Sequence, residues 1–165
     1  RAFWQAFPGR IDPAPMLVAL IKSKRFGRAV SRGLYDYCDG RRSEHLSPHA
    51  VEFSEKYCRQ TVDFDSSQLT GILTVPMWIE AAFALREGVV NSHEQFDLAM
   101  RGGLGFDSGR PRNAFFDSMG SEAILSAIED WSGLTKAIDA PEEMRQLLVS
   151  HAPTDALVAY GGNSA

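Results

Sequence analysis

The sequence of 165 residues predicts an all-α fold, a helical bundle, and three observations support this class. Apolar residues recur at helical spacing through most of the chain. Gly, Pro and N-capping residues stand where helices of ordinary length would begin and end. No stretch shows the alternation of apolar and polar residues that predicts a half-buried strand. The 44% hydrophobic content suffices for one ordinary globular core.

The N-terminal residues, Arg1 to Asp12, predict an irregular arm that docks on another surface. They contain three aromatic residues together with Pro8 and Gly9. A first helix is expected from Pro15 to Lys24, because its apolar residues fall at helical spacing and its basic residues lie at the C-terminal end. Gly27 should follow the end of this helix.

A stretch rich in Gly, Arg and Ser, residues 27–43, predicts an ordered loop or short extended segment. Ser47 followed by Pro48 is a favourable pair of N-cap and first-turn residues, so a second helix should run to about Gln60. This helix should bury all or some of its large apolar residues, which are Val51, Phe53 and Tyr57.

The longest helix is expected from Asp65 or Ser66 to Arg86. It has apolar residues on nearly every side, which predicts a position at the centre of the domain. Pro76 lies inside it and should kink it, because proline removes one backbone donor. Gly88 should end this helix.

Four further signals follow the long helix. The capping-box pattern of Ser92–Gln95 predicts the start of a helix. Three glycines should stop that helix: Gly102, Gly103 and Gly105. Residues 106–113 predict a loop, and residues 114–119 a helical turn.

Two helices are expected near the C-terminus. Ser121 should cap the first of them, and Gly133 should end it. Asp139, with Glu142 three residues later, should open the second, which ends near His151. The predicted organisation is an N-terminal arm, helix and linker over 1–46, a helical domain over 47–152 and a frayed tail over 153–165.

Charge and apolar content narrow the classes of partner. Seventeen Lys and Arg against 21 Asp and Glu give a net charge of -4 at pH 7, which disfavours nucleic acid. The apolar stretch 69–85 contains polar residues and Pro76, so a buried helix is expected and no membrane span.

Cysteine content and the chain start indicate compartment and processing. Cys38 and Cys58 lie 20 residues apart without a nearby His pair, so no zinc site is indicated and both are expected to be reduced. No secretory signal is visible, so a cytoplasmic location is expected. The start at Arg1 suggests a fragment or a processed chain.

Two stretches carry ordered motifs. Residues 27–37 read Gly-Arg-Ala-Val-Ser-Arg-Gly-Leu-Tyr-Asp-Tyr. From Pro76 to Gly120 the chain has a helix, an acidic turn, an Asp-x-Ala-Met helix at Asp97–Met100, a Gly-Leu-Gly-Phe stop at Gly103–Phe106 and a Gly-Pro loop. Both stretches resemble the C-terminal helical domain of the 3-hydroxyacyl-CoA dehydrogenases, including the dehydrogenase part of multifunctional fatty-acid oxidation enzymes. Four positions depart from the family's Gly-Arg-Lys-Thr-Gly-x-Gly-Phe-Tyr-x-Tyr pattern: Ala29, Val30, Ser31 and Leu34.

The resemblance implies a role in assembly. Larger members of the family carry two related helical repeats with the Gly-Arg-rich segment between them. The order of motifs therefore implies that this chain is the linker plus the second repeat, which packs on the first repeat and imitates a dimer interface. The implied fold is the helical dimerisation domain shared with 6-phosphogluconate dehydrogenases.

The resemblance also implies the activity of the parent protein, oxidation of 3-hydroxyacyl-CoA to 3-oxoacyl-CoA with NAD in fatty-acid β-oxidation. This chain would not be active alone and would hold no cofactor itself, although acyl-CoA could bind in the parent. The alternative is a free-standing helical interaction module without dehydrogenase activity. A nucleotide-binding half encoded upstream of Arg1 would support the first hypothesis, and an initiating Met close to Arg1 the second.

No catalytic, cofactor-binding or metal-binding residue is assigned in this chain. Gly103-Leu104-Gly105 is the only Gly-x-Gly, and it lacks a third Gly at Ser108 and a preceding strand, so a helix stop is expected. The family's catalytic His–Glu pair belongs to the nucleotide-binding half. The four histidines of this chain are expected to be solvated or capping residues: His45, His49, His93 and His151.

The long helix carries the positions that correspond to the family's substrate site. Counting back from Pro76, the Asn and Arg of the first repeat correspond to Gly71 and Ile72, so both polar groups are absent. Glu80 matches the family's acidic residue on this helix. It is expected to be a buried, hydrogen-bonded structural carboxylate.

An arginine cluster interleaved with Tyr35 and Tyr37 allows two interpretations. It could attract the phosphates of CoA, because guanidinium groups bind phosphate with two parallel hydrogen bonds. It could also form a solvated loop that pairs with acidic helix faces. The cluster consists of Arg25, Arg28, Arg32, Arg41 and Arg42.

A domain that covers another helical repeat should have an apolar face when that repeat is missing. The expected contributors are Phe3, Trp4, Phe7, Trp78 and Phe83. Self-association as a two-fold dimer should bury this face, unless the arm folds back over it. The expected partners are therefore the nucleotide-binding half and first helical repeat of the parent enzyme, or a second copy of the chain.

Overall fold

The computed structural model describes residues 5–58, 61–104, 109 and 111–162. These residues form eight α-helices and one short antiparallel hairpin, so the predicted all-α class is confirmed. The elements are α1 (Pro15–Lys22), β1 (Tyr37–Cys38), β2 (Arg41–Arg42), α2 (Pro48–Tyr57), α3 (Ser66–Arg86), α4 (His93–Leu104), α5 (Arg112–Met119), α6 (Ser121–Trp131), α7 (Glu142–Ser150) and α8 (Pro153–Gly161). Two 3-10 turns, Arg28–Val30 and Lys136–Ile138, complete the order.

The chain divides into two compact units. The helical unit consists of Arg1–Asp12 and Phe64–Ala165, and the hairpin unit of Pro13–Asp63. The predicted boundary at residue 46 has no counterpart in this division, because α2 packs on α1 within the hairpin unit.

The hairpin unit begins and ends with a helix. Its buried apolar residues include Ala19 and Leu20 on α1 and Ala50 on α2. Ser47 Oγ accepts a hydrogen bond from the backbone N–H of Ala50 at 3.2 Å, which confirms the predicted N-cap. The predicted burial of α2 is only partial, because Phe53 and Tyr57 are half-buried and Val51 is exposed.

The predicted ordered segment over 27–43 is confirmed. Gly27 and Arg32 form an isolated bridge, and β1 then pairs antiparallel with β2. In this register Tyr37 lies opposite Arg42, and Cys38 opposite Arg41.

Helix α3 lies at the centre of the helical unit, as predicted. It begins with a capping box in which Asp65 Oδ1 accepts from the Gln68 N–H at 2.8 Å and Gln68 Oε1 accepts from the Asp65 N–H at 3.1 Å. Its inner face packs against α6 and α8. The buried residues of α3 are Gly71, Val75, Trp78, Ile79, Ala81 and Ala82.

Among the described residues, α3 is the one helix long and apolar enough to cross a membrane by length and composition. Core helices of bundles have the same properties. Val75, Trp78 and Ile79 are buried inside the helical unit, which is the arrangement of a core helix.

Helix α4 corrects one prediction about glycine. Its start is as expected, because Ser92 Oγ accepts from the Gln95 N–H at 3.4 Å. The helix then continues through Gly102 and Gly103 to Leu104, so neither glycine stops it. Glycine lowers helix stability by only about 1 kcal/mol, which tertiary packing can offset. Gly105 lies outside the described residues.

Helices α6 and α7 begin differently from the prediction. Gly120 occupies the N-cap of α6, and Ser121 Oγ instead donates to the His151 carbonyl at 2.7 Å. Pro141 occupies the N-cap of α7, and Asp139 instead accepts from the Gly133 N–H at 3.1 Å. Ser121 therefore binds the backbone at the end of α7, and Asp139 binds the backbone of the loop that follows α6.

The predicted frayed tail over 153–165 is wrong for most of its length, because Pro153–Gly161 forms α8. The helix packs against α3 and α7. Three apolar residues at helical spacing, Ala156, Leu157 and Tyr160, are buried. The N–H and hydroxyl of Thr154 both donate to the Asp117 carboxylate at 2.9 Å. Burial and capping thus offset the entropy of a chain end.

The N-terminal arm docks on the helical unit of its own chain. The Asp12 carboxylate accepts from the Thr135 hydroxyl at 2.9 Å and from the Lys136 N–H at 2.7 Å. Lys136 Nζ donates to the Pro8 carbonyl at 2.9 Å. Arg10 lies over the Phe83 ring, 4.2 Å from its centroid. Phe3 and Trp4 lie outside the described residues.

Candidate functional site

The histidines do not form a catalytic arrangement with buried carboxylates in the described part of the chain. His45 and His49 are exposed in the hairpin unit. His93 Nε2 lies 3.1 Å from the exposed Glu94 carboxylate at the start of α4. His151 follows α7, where its Nδ1 lies 2.8 Å from Ser150 Oγ. No group of His, Cys, Asp or Glu suited to a metal ion occurs among these residues.

The Glu94 side chain belongs to the capping turn of α4. Hydrogen bonds from Ser92 and from its own backbone N–H lower the pKa of Glu94, and the electrostatic effect of the neighbouring His93 acts in the same direction. The carboxylate is stabilised by groups at a helix N-terminus, as expected for the first turn. These hydrogen bonds belong to the cap at the N-terminus of α4.

Glu80 is exposed, and the predicted buried carboxylate is therefore wrong. Arg10 Nη1 of the arm lies 3.4 Å from Glu80 Oε2, and Arg10 also pairs with Glu87, which directly follows the last residue of α3. The hydrogen bond from Arg10 to Glu87 is the main reason that the pKa of Arg10 is raised. The arm therefore satisfies this carboxylate at the surface, where water also solvates it.

Gly71 and Ile72 have different environments on α3. Gly71 is buried where α3 crosses α6, and a Cβ at this position would lie 3.0 Å from the Cβ of Ala127. The glycine thus allows the two helices to approach closely. Ile72 is half-buried and offers no polar group.

The Gly-x-Gly stretch does not fit a dinucleotide site in the residues that are described. Gly103 and Leu104 lie in the last turn of α4, and the element directly before α4 is the helix α3. A dinucleotide cradle needs a strand, a glycine-rich turn and a helix N-terminus that faces the pyrophosphate. The β1–β2 hairpin does not provide these elements, because β2 ends at Arg42 and the next helix begins at Pro48.

Asp97 of the Asp-x-Ala-Met motif is a structural residue that the sequence analysis missed. Its buried carboxylate accepts from the Arg112 backbone N–H at 2.8 Å and from Asn113 Nδ2 at 3.1 Å. Asp97 therefore caps α5 from another helix, which explains why α5 begins inside the predicted loop. The only signal in the sequence is a carboxylate on α4 and a helix start 15 residues later.

The Gly-Arg-rich segment is held together by the buried Arg25, which pairs with the exposed Asp36. Arg25 Nε donates to the Gly33 carbonyl at 2.7 Å, and Arg25 Nη2 lies 2.5 Å from Asp36. A Cβ on Gly33 would lie 2.8 Å from the Cα of Gly27, so the two backbone segments require glycine. Arg25 is thus occupied structurally. The other four arginines of the cluster are exposed: Arg28, Arg32, Arg41 and Arg42.

An apolar stripe runs along the outer side of α3, opposite its buried face. Leu69 and Leu73 are 46% and 64% exposed, and Ile72 and Pro76 are half-buried. These positions fall on one side of a helix with 3.6 residues per turn. We call this stripe the outer face of α3. It is the candidate functional surface of the helical unit, because exposed apolar stripes of this kind bind protein partners.

Two residues that were expected to be in an exposed apolar face are not. Trp78 is fully buried beneath α8, because the C-terminal residues form a helix over it. Phe83 is half-buried between Arg10 and Tyr160. Phe7 is exposed on the arm. The arm therefore covers the C-terminal half of α3 near Phe83, and the exposed apolar residues lie in the N-terminal half.

Comparison with known proteins supports a relationship to fatty-acid oxidation proteins. No family model matches the chain. The fatty acid oxidation complex subunit alpha of Colwellia psychrerythraea is 24% identical over 153 residues, which cover 87% of this chain and 21% of the relative. The same subunit of Acinetobacter baumannii is 23% identical over 154 residues, which cover 89% of the chain and 22% of the relative.

A plant protein matches as well. The glyoxysomal fatty acid beta-oxidation multifunctional protein MFP-a of Cucumis sativus is 30% identical over 139 residues, which cover 79% of the chain and 19% of the relative. The chain spans about a fifth of the length of these relatives. The matches confirm the predicted resemblance, and over most of its length the chain is homologous to one region of the multifunctional fatty-acid oxidation proteins.

Proposed function

We propose that this chain is an assembly domain in the C-terminal helical part of an NAD-dependent 3-hydroxyacyl-CoA dehydrogenase. The parent protein would oxidise 3-hydroxyacyl-CoA to 3-oxoacyl-CoA in fatty-acid β-oxidation, and this domain would not act alone. The names of the matched relatives and the ordered motifs from Pro76 to Gly120 support this proposal. A cytoplasmic location is part of the proposal for this chain, although one relative is named glyoxysomal.

The observation that carries the assembly role is the outer face of α3. Leu73 is 64% exposed on a helix whose opposite side is the centre of the core. Burial of such a stripe against a partner is favourable by roughly 25 cal/mol for each Å² of apolar surface removed from water. The partner would be the first helical repeat of the parent enzyme or, when that repeat is missing, a second copy of the chain. A two-fold dimer would place the same face of both copies in contact.

Sedimentation velocity at several concentrations tests the assembly role. We expect the chain to form a dimer and the Leu73→Asp variant to be a monomer, because a charge at the centre of the interface would be desolvated. Val149→Asp is the matched control, since Val149 is 77% exposed on α7, away from the outer face of α3. This control should form the same dimer as the unchanged chain.

The assembly role would be refuted by a chain that stays monomeric at all concentrations, or by a Leu73→Asp variant that dimerises normally. Circular dichroism and thermal melting of each variant establish that the fold is intact. Both substitutions lie at exposed positions, so neither should change the melting temperature much.

Nucleotide binding provides a second test, which concerns the proposal that this domain does not act alone as a dehydrogenase. Since the described residues do not fit a dinucleotide cradle, NAD should bind this chain no more tightly than ADP, which has the same diphosphate but no nicotinamide half. Isothermal titration calorimetry measures this directly. Binding of NAD at least about tenfold tighter than that of ADP, a difference of roughly 1.4 kcal/mol, would contradict the proposal.

A further inference from the structure

We propose that the hairpin unit carries a binding site for the phosphate groups of a nucleotide-type ligand. The site is formed by Arg41 and Arg42, which line a groove at the β1–β2 hairpin, together with Arg28, whose guanidinium lies beside the hairpin turn. This inference concerns the hairpin unit only, so it stands independently of the assembly role of the helical unit.

Positive charge is concentrated in one segment of an acidic chain. Residues 22–42 contain seven Lys and Arg and only two acidic residues, Asp36 and Asp39, whereas the whole chain has a net charge of -4. Asp36 is paired with the buried Arg25 at 2.5 Å, so these two charges compensate each other. Asp39 is the one remaining carboxylate of the segment. The exposed guanidinium groups therefore create a local positive field.

Two of the guanidinium groups are held in place by the hairpin. Arg28 lies against the turn, because a Cβ on Gly40 would be only 3.4 Å from Arg28 Nη2. Arg42 lies over the ring of Tyr35, 4.5 Å from its centroid. Arg41 directly follows the turn on β2. Among the described residues, no carboxylate lies within ion-pair distance of these three side chains.

An open groove of about 650 Å³ borders the hairpin. Its lining residues are Asp36, Tyr37, Cys38, Asp39, Arg41, Arg42 and Ser43. This volume lies in the range of small-molecule sites. Guanidinium forks bind phosphate oxygens with two hydrogen bonds, and tyrosine rings such as that of Tyr37, which lines the groove, stack on nucleobases. Phosphate and base recognition together define a nucleotide-type ligand.

Asp39 also lines this groove, and its substitution should change the affinity for phosphate in the opposite direction to substitution of the arginines. The Asp39 carboxylate would repel a bound phosphate, so Asp39→Asn should tighten binding. The backbone of Asp39 is left-handed, with φ of 50°, which asparagine also adopts readily. The Asp39→Asn variant should therefore fold normally.

Calorimetric titration of the full chain with ATP, pyrophosphate and adenosine tests the site. We expect ATP and pyrophosphate to bind and adenosine, which has no phosphate, not to bind. The Arg41→Gln/Arg42→Gln double variant should weaken ATP binding by at least about tenfold, because it removes two charge-assisted phosphate contacts. Lys56→Gln/Arg101→Gln is the matched control, since it removes two exposed positive charges outside the hairpin. This control should change the affinity by less than about twofold.

Four results would overturn the proposal: no binding of ATP, equal binding of ATP and adenosine, equal weakening by the site variant and the control, or weaker binding by Asp39→Asn. Vesicles of anionic phospholipid provide one further comparison. Binding to vesicles without binding to ATP would assign the surface to a membrane and refute the nucleotide-type ligand. Sedimentation of the same variants should be unchanged, so failure of this site and failure of the assembly role are distinguishable.

Discussion

The indole Nε1 of Trp78 donates a hydrogen bond to the backbone carbonyl of Pro153 at 3.1 Å, across 75 positions of the chain. Trp78 is fully buried on α3, and Pro153 is the first residue of α8. The bond satisfies the indole N–H in the core and connects the central helix to the C-terminal helix. Helix α8 is therefore part of the core of the helical unit.

Replacement of Trp78 by phenylalanine should destabilise the helical unit by about 1–3 kcal/mol, because the Pro153 carbonyl loses its donor and a small cavity is formed. Trp131→Phe is the matched control. Trp131 is also buried, but its Nε1 has no hydrogen-bond partner in the described part of the structure. Urea denaturation followed by circular dichroism measures both variants. Equal losses for the two would show that the Trp78 hydrogen bond contributes nothing.

Gly161→Ala should destabilise the packing of α8 on α3. A Cβ at Gly161 would lie 2.5 Å from the Cβ of Leu85, a distance that requires the helices to move apart. Gly102→Ala provides the comparison, because Gly102 lies inside α4 with no atom near its added Cβ. We expect Gly102→Ala to be stabilising by up to about 1 kcal/mol. Thermal melting measures both, and melting temperatures that shift in the same direction would refute the packing argument.

Asp97→Ala should lower the free energy of unfolding by about 1–3 kcal/mol. The substitution leaves the Arg112 N–H and the Asn113 side-chain amide without their buried acceptor. Asp130→Ala removes an exposed carboxylate and should change stability by less than about 0.5 kcal/mol. Denaturant unfolding compares the two variants. A loss no larger for Asp97→Ala than for Asp130→Ala would contradict the capping role.

Ser92→Ala should raise the pKa of Glu94 towards its ordinary value, because the Ser92 hydrogen bond is the main cause of the lowered pKa. A carboxyl group with a lowered pKa in the fold stabilises the fold above its unfolded pKa, and this contribution is lost as pH falls through the folded pKa. In Ser92→Ala, the stability of the fold should therefore fall less when the pH is lowered through the Glu94 pKa. Titration of the Glu94 carboxyl carbon by NMR measures the shift, with Ser126→Ala as the control. An unchanged Glu94 pKa in Ser92→Ala would refute this cause.

Helix starts with local signals were predictable from the sequence. The Ser47 cap and a start of α3 at Ser66 were predicted correctly, and both starts use hydrogen bonds between residues three positions apart. The central position of α3 was predictable as well, since apolar residues on nearly every side of a helix favour full enclosure. Capping hydrogen bonds and apolar periodicity involve only residues that are close in the sequence, so both can be recognised without the tertiary structure.

The sequence predicted that an apolar face and an arginine cluster exist, but not which residues of each are available at the surface. An apolar face was expected, but Trp78 was assigned to it instead of Leu69 and Leu73. The apolar pattern of α3 does not distinguish its sides, because large apolar residues occur on both. The arginine cluster was found, but the structural role of Arg25 depends on a pair with Asp36 that forms only when the segment folds.

The sequence by itself therefore determined the all-α class, the Ser47 cap and the limits of α3, because these depend on hydrogen bonds and side-chain spacing within a few residues. Only the tertiary structure decided that the last residues form α8 over Trp78, that Asp97 caps α5 and that Arg10 holds Glu80 at the surface. These outcomes depend on contacts between residues 15 to 75 positions apart. Such contacts form when the packing of whole helices offsets the entropy of ordering the chain between them, and no local pattern encodes that balance.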